Sequence, residues 1–257
     1  MKVAWITHQL PNGSMDHGPG LLKGLYAGGA EMSTAEMIAA APDGVEVFTF
    51  HPESGLPDPA FFDRVVVGAT ERLTGQQVQK LIQIRPILWV RSIQHAALAP
   101  LFRAARTVVW PSHGCAAWHE WAPGDYKICP APLDTSLIPR DTPKEDFALW
   151  AGRNHPQKGR VNARLWAWER GIPFVELTDA PREVVLEHMG RARWFVHLPK
   201  GVFDPCPRTL IEAELAGCEV VTNRLAGRVE VAGQGPEVVR EHIRQVPSMF
   251  WGWVRDS

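Results

Sequence analysis

No stretch of 18 apolar residues occurs in this sequence, so it offers no membrane-spanning helix. Its four cysteines (Cys115, Cys129, Cys206 and Cys218) are widely spaced and form no CxxC pair. That spacing argues against a zinc site and suits a reduced, cytoplasmic chain with incidental thiols. Neither sign of charge dominates: 27 Lys and Arg stand against 28 Asp and Glu, a net charge of −1. No global basic field points to nucleic acid, although a local arginine patch stays open. The sequence also has no low-complexity segment, no short-period repeat and no GxGxxG. The last absence excludes a nicotinamide or flavin fingerprint. No Asp-x-Asp motif is present, so no bound divalent metal is expected. The opening MKVAWITHQL is too short for the apolar core of a signal peptide and reads as a first buried strand.

What the chain does have is a globular composition, 45% apolar and 21% charged, spread over 257 residues. That length allows one large domain or two compact ones. Short apolar segments alternate with longer amphipathic ones. Strands are expected at Val3–Thr7, Glu46–Phe50, Arg64–Val67, Ile87–Val90 and Thr107–Trp110, with helices at Ala30–Ala41 and Gly75–Ile84. The second half repeats the plan with strands at Phe147–Trp150, Phe174–Leu177, Trp194–His197 and Glu219–Thr222. Helices Asn162–Arg170, Pro181–Met189 and Thr209–Ala216 lie between them. Such alternation implies parallel sheets with right-handed crossovers. The proline-rich Pro130–Pro139 and the polar run Arg140–Asp146 make the linker. The expected organisation is a first Rossmann-like domain over 1–140, a second over 141–235, and a C-terminal helix with an apolar tail over 236–257. The fold class is α/β, two doubly wound domains with a cleft between them. In the tail, Glu237–Gln245 reads as helix, and Met249, Phe250, Trp251 and Trp253 read as an apolar segment docking on the body. Eleven Trp suit core packing, sugar stacking and base stacking equally well.

Three stretches carry chemistry. Gly18-Pro-Gly20, Gly24 and Gly28-Gly29-Ala30-Glu31 follow the first strand, where glycines admit a ligand close to the backbone and a helix start offers free N–H groups. In Trp150-Ala-Gly-Arg-Asn-His-Pro-Gln-Lys-Gly159, Gly152 permits a tight turn at a strand's carboxyl end. Arg153 and Lys158 then bring two cations to one spot, which suits a diphosphate. After His197, which lines the ligand end by its strand-end position, a proline-rich loop carries Asp204. A helix then opens near Arg208 and Thr209 with Glu212 in its first turns, seven residues separating the two acids. Carboxylates there suit sugar and ribose hydroxyls, and the helix start suits a phosphate. The solvated-loop and helix-start readings of these charges stand beside the functional ones.

Together these motifs resemble the GT-B glycosyltransferases of the retaining family 4 type, including compact phage-type members that modify DNA. Gly152-Arg153 with Lys158-Gly159, Asp204-x7-Glu212-Ala213 and Ala216-Gly217 are similar to the family's donor half. Gly28-Gly29-Ala30-Glu31, Val108-Val109-Trp110-Pro111-Ser112 and Lys127-Ile128-Cys129-Pro130 through Asp134 are similar to its first half, in the same order. The resemblance implies a sugar transferred with retention from a nucleotide-diphosphate sugar, UDP-sugar favoured, with no further cofactor. Arg153 and Lys158 would hold the diphosphate, Glu212 the ribose, and Asp204, in place of the family's first Glu, the transferred sugar. The family's strand-end V-H-D is not matched. Ile87-Leu-Trp-Val-Arg91-Ser92 stands there instead, and His95 is the candidate for the missing histidine. Asp16 is a candidate acceptor-side base. Residues 1–140 carry 11 basic against 12 acidic residues, so the acceptor reading stays between a glycan, a lipid-linked molecule and a hydroxymethylated DNA base. No stable protein partner is expected. A binding module without transfer activity and a nucleotide-sugar epimerase of the same fold are the rival readings.

Overall fold

A computed structural model of the chain describes residues 1–8, 29–68 and 70–257. They divide into two compact units. The first comprises Met1–Pro111, Ala116–Leu133 and Gln245–Ser257; the second comprises Ser112–Cys115 and Asp134–Arg244.

The first unit is built on a six-stranded sheet with every pairing parallel. Its strands are β1 (Lys2–Ile6), β2 (Glu46–Phe50), β3 (Arg64–Val67), β4 (Ile87–Trp89), β5 (Thr107–Trp110) and β6 (Lys127–Ile128), in the order β2-β1-β3-β4-β5-β6. Val3, Ala4, Trp5 and Ile6 are all fully buried, the continuous apolar run of a parallel strand covered on both faces. The flanking helices include α1 (Gly29–Ala39), α2 (Gly75–Ile84) and α3 (Ala99–Ala104). Helix α2 starts where the sequence places it. Thr74 accepts from the Gln77 N–H and the Gln77 side chain accepts from the Thr74 N–H, a reciprocal cap. The two-residue strand β6 carries too little periodicity to be read from sequence. A further short helix, α4, spans His113–Trp118.

The second unit holds a four-stranded parallel sheet, β7 (Glu145–Gly152), β8 (Phe174–Thr178), β9 (Ala192–His197) and β10 (Glu219–Thr222), in the order β10-β9-β7-β8. Helices α5 (Arg160–Trp168), α6 (Arg182–Arg191) and α7 (Arg208–Leu215) connect them. From β7 the chain goes to β8 on one side, then crosses to β9 on the other. The switch in strand order therefore falls between β7 and β9, which is where open α/β sheets bind ligands, outside the carboxyl ends of the strands.

The chain's last helix, α8 (Pro236–Asp256), differs from expectation. It runs unbroken through Pro247 instead of ending near Gln245. A helix-interior proline costs about 3 kcal/mol. Val246, Phe250, Trp251 and Val254 fall on one helical face and are all buried in the first unit. Burying each such side chain contributes roughly 1.5–3 kcal/mol, so together they outweigh the proline.

Candidate functional site

The loops after β7 and β9 are stapled together at the switch point. Strand β7 ends on Gly152, where a Cβ would lie 3.1 Å from the Trp150 ring. The Trp150 indole N–H donates to the Lys158 carbonyl at 3.1 Å, fixing the loop's far end over its own strand. Gly159 sits at φ 74°, and a Cβ there would stand 1.9 Å from the Leu198 carbonyl oxygen. No other residue fits that backbone approach. Asn162 Nδ2 also donates to Leu198 O at 3.1 Å, and the Lys200 N–H donates to Gln157 O at 3.1 Å.

This framework presents a three-residue charged cluster. Lys158 Nζ lies 2.8 Å from Asp204 Oδ2, and His197 Nε2 lies 3.0 Å from the same oxygen. Asp204 is buried at 8% exposure, and its backbone is pinned on both sides. Its N–H donates to Leu225 O and its carbonyl accepts from the Gly227 N–H, both at 2.7 Å. Burial works to raise the Asp204 carboxyl, but the His197 hydrogen bond and the Lys158 charge outweigh it and hold the group below the usual carboxylate range. With Asp204 ionised, His197 donates to it through Nε2–H. Its Nδ1 is buried and without a partner among the described residues.

Glu212, only 3% exposed, lies one turn into α7. Its Oε1 receives Arg182 Nε at 3.1 Å and faces Arg208 Nε at 3.8 Å. Arg208 is buried and Thr209 half-buried at the same helix start. Arg153 stands exposed on the β7 loop. Thus Lys158, His197 and Asp204 meet in one cluster, and Arg208 and Glu212 in another, both in the second unit. Arg182 was not legible from motifs, yet a signal exists. Helices α5, α6 and α7 open with Arg160, Arg182 and Arg208, cations at the end where the helix dipole disfavours them. Local rules broken in this way mark functional positions.

The other candidates lie elsewhere. His95 is exposed and caps a 3₁₀ turn, its Nδ1 accepting from the Ala97 N–H at 3.1 Å. Gly29 is the first residue of α1. Asp16 and Gly28 lie outside the described residues. A separate concavity lined by Glu145, Phe147, Pro173, His188 and Arg191 opens at the amino ends of β7 and β8, opposite the site. Among the described residues no three His, Cys, Asp or Glu side chains gather to hold a metal.

Two parallel α/β units of six and four strands, with the ligand end of the second built as above, define the GT-B fold that the motifs imply. The solved structures confirm it. The chain is similar to AviGT4, a glycosyltransferase involved in avilamycin A biosynthesis, at 16% identity over 96% of this chain and 89% of that one, TM-score 0.56. It is similar to a sucrose-phosphate synthase from Thermosynechococcus elongatus at 14% identity over 98% and 91%, TM-score 0.57. It is also similar to an α-glucosyltransferase solved with UDP and a 13-mer DNA containing an HMU base, at 13% identity over 96% and 90%, TM-score 0.50. No family model and no curated protein sequence matches the chain.

Proposed function

We propose that this chain is a cytoplasmic glycosyltransferase that moves a sugar from a nucleoside-diphosphate sugar, with UDP as the favoured leaving group, to a hydroxyl acceptor. The observation that carries the reading is the Lys158–Asp204–His197 cluster at the β7/β9 switch point, with the buried Glu212 on the helix that follows. In the reaction the bond from the anomeric carbon to the diphosphate oxygen breaks, its electron pair leaving with the diphosphate. The acceptor oxygen bonds to that carbon, and its proton passes to the departing phosphate oxygen. Lys158 and Arg153 offset the charge that builds on the diphosphate, and the bond that Lys158 donates to Asp204 holds the ammonium in position beforehand. Asp204 supplies acceptors for hydroxyls of the bound sugar, and the unpartnered Nδ1 of His197 stands ready to hydrogen-bond there as well.

Calorimetry against UDP, GDP and ADP tests the donor, and binding of none of them removes the reading. Arg153→Ala and Lys158→Ala are each expected to weaken diphosphate binding about 10-fold or more while barely touching the bare nucleoside. Among acceptors, hydroxymethylated duplex DNA is the first to try, because a similar structure holds HMU-containing DNA. Label transferred to that duplex but not to an unmodified control, with affinity falling steeply in salt, supports it. Absence of transfer with a donor that binds leaves a glycan or lipid-linked acceptor. Conversion of the donor sugar without any acceptor marks an epimerase instead.

A further inference from the structure

We propose that a cavity at the amino ends of the first sheet binds a small phosphorylated molecule carrying hydroxyl groups, held through its phosphate by Arg85 and Arg106. The cavity measures about 390 Å³, within the range of small-ligand pockets, roughly 300–1,000 Å³. Three arginines line it. Arg64 opens β3, Arg85 lies between α2 and β4, and Arg106 stands directly before β5. Asp63 is the one acid in the lining, and Pro59 and Phe62 supply an apolar wall. All of these residues belong to the first unit. The site does not depend on the sugar-transfer reading.

All three nitrogens of Arg64 are engaged: Nε donates to Val254 O at 3.1 Å, Nη1 to Asp63 O at 2.8 Å and Nη2 to Arg255 O at 3.1 Å. It caps the last turn of α8, where a cation suits the helix dipole. Arg85 spends only Nε, on Ala104 O at 3.4 Å, and Arg106 only Nη1, on Ser257 O at 3.2 Å. Among the described residues none of the three pairs with a carboxylate. Arg191 and Arg193 of the second unit, also exposed, pair with Glu145, Asp146 and Glu219. Three unpaired guanidiniums around one cavity repel one another until an anion enters.

The backbone of Arg85 points the same way. It caps the end of α2 at φ 57° and ψ 67°, the left-handed region that glycine or asparagine usually fills. A side chain kept there against its backbone preference marks a functional position. The planar forks suit phosphate oxygens taken two at a time. A phosphate monoester carries up to two charges and matches both open forks, whereas a carboxylate matches one. Asp63 Oδ2 accepts from the Lys2 N–H at 2.7 Å, which leaves Oδ1 to accept from a ligand hydroxyl. Phe62 is fixed edge-on against Phe48 and Phe50, with ring centroids at 5.6 and 5.5 Å, and offers a firm wall to the ligand's carbon skeleton.

Calorimetry of the full chain with glucose 6-phosphate, inorganic phosphate and glucose tests the site. Glucose 6-phosphate should bind with saturation, inorganic phosphate about 10-fold more weakly, and glucose not at all. Arg85→Gly suits the left-handed backbone, so it should fold at least as well as the wild type, yet it should weaken glucose 6-phosphate binding about 10-fold or more. Arg106→Gln should do the same. Arg153→Ala, on the loop proposed to hold the donor diphosphate, should leave glucose 6-phosphate binding unchanged. Loss in Arg153→Ala with binding kept in the other two variants places the ligand on that loop and overturns the proposal. No binding of either phosphate-bearing probe by the wild type overturns it, as does binding that survives both Arg85→Gly and Arg106→Gln. Inorganic phosphate bound as tightly as the ester removes the organic ligand. A short duplex DNA bound through these arginines, without glucose 6-phosphate binding, makes the cavity part of a nucleic-acid surface and overturns the proposal as well.

Discussion

Three tryptophans of the first unit and one of the second are used in opposite ways. In the first, Trp5, Trp89 and Trp110 are buried, and their indole N–H groups have no partner among the described residues. They act as bodies that fill space: Trp5 and Trp89 meet edge-on at 5.2 Å, and Trp110 stacks on His119 at 4.6 Å. In the second, the equally buried Trp150 spends its N–H on the Lys158 carbonyl and so props the loop that carries the charged cluster. All five residues of edge strand β8 are half-buried, whereas central strand β1 of the first sheet buries four of five. The second unit also carries polar staples such as Lys144. Its ammonium donates to the carbonyls of Met189, Gly190 and Ala216 at 3.0, 2.8 and 2.7 Å, tying together the ends of α6 and α7. Volume is most evident around the first unit's tryptophans and directed hydrogen bonds around Lys144 and Trp150, in the second unit, which also carries the candidate site.

If that contrast holds, the largest losses come from volume in one unit and backbone approach in the other. Trp251, buried in the first unit with its indole N–H on Met37 O at 2.9 Å, should cost about 3–5 kcal/mol on truncation to Ala, read by denaturant melts. Gly159→Ala should cost about 3 kcal/mol or more and abolish nucleotide binding, because both its φ and the Leu198 carbonyl exclude a Cβ. Gly171→Ala is its control: φ is 65° but nothing lies within 4 Å, so only about 1 kcal/mol should be lost.

Next in size is Lys144→Met, which preserves length but strands three carbonyls. About 2–4 kcal/mol is expected, and a loss below 1 kcal/mol would show the second unit to be held by volume after all.

Asp204→Asn sharpens the comparison through pH. The native carboxyl is held below its usual range, so its contribution is complete above the unfolded value and fades as the pH falls through the folded one. The stability gap between wild type and variant should narrow below about pH 4 and close once Asp204 is itself protonated. A gap that persists in acid would place its origin outside the His197 and Lys158 contacts. The smallest effect belongs to His95→Asn. Asparagine caps at least as well, so stability should stay within about 0.5 kcal/mol and turnover should not change. A large fall in turnover would give His95 a chemical role instead.

Most of the architecture was legible because parallel strands, buried on both faces, write themselves as unbroken apolar runs. The apolar runs Val3–Ile6, Val65–Val67 and Trp194–Val196 are examples. The motif loops were legible because glycine and proline punctuate strand ends. What escaped was nonlocal. Lys158 and Asp204 are 46 residues apart, and no spacing rule announces that they share a hydrogen bond. Arg182 and Glu212 are 30 apart and meet only because α6 and α7 start side by side at the same sheet end. The run through Pro247 was misjudged because local propensity was weighed without the burial of Phe250 and Trp251 that overrides it.

The membership of α8 bears on how the protein is made. The first unit owns residues 1–111 and 116–133, but also 245–257, which bring Phe250, Trp251 and Val254 into its core. A ribosome delivers all of the second unit before it delivers those side chains. The nascent first sheet therefore emerges with its tryptophans incompletely covered and waits through more than a hundred further residues for its closing helix. The unit whose synthesis begins first is the unit whose residues are completed last.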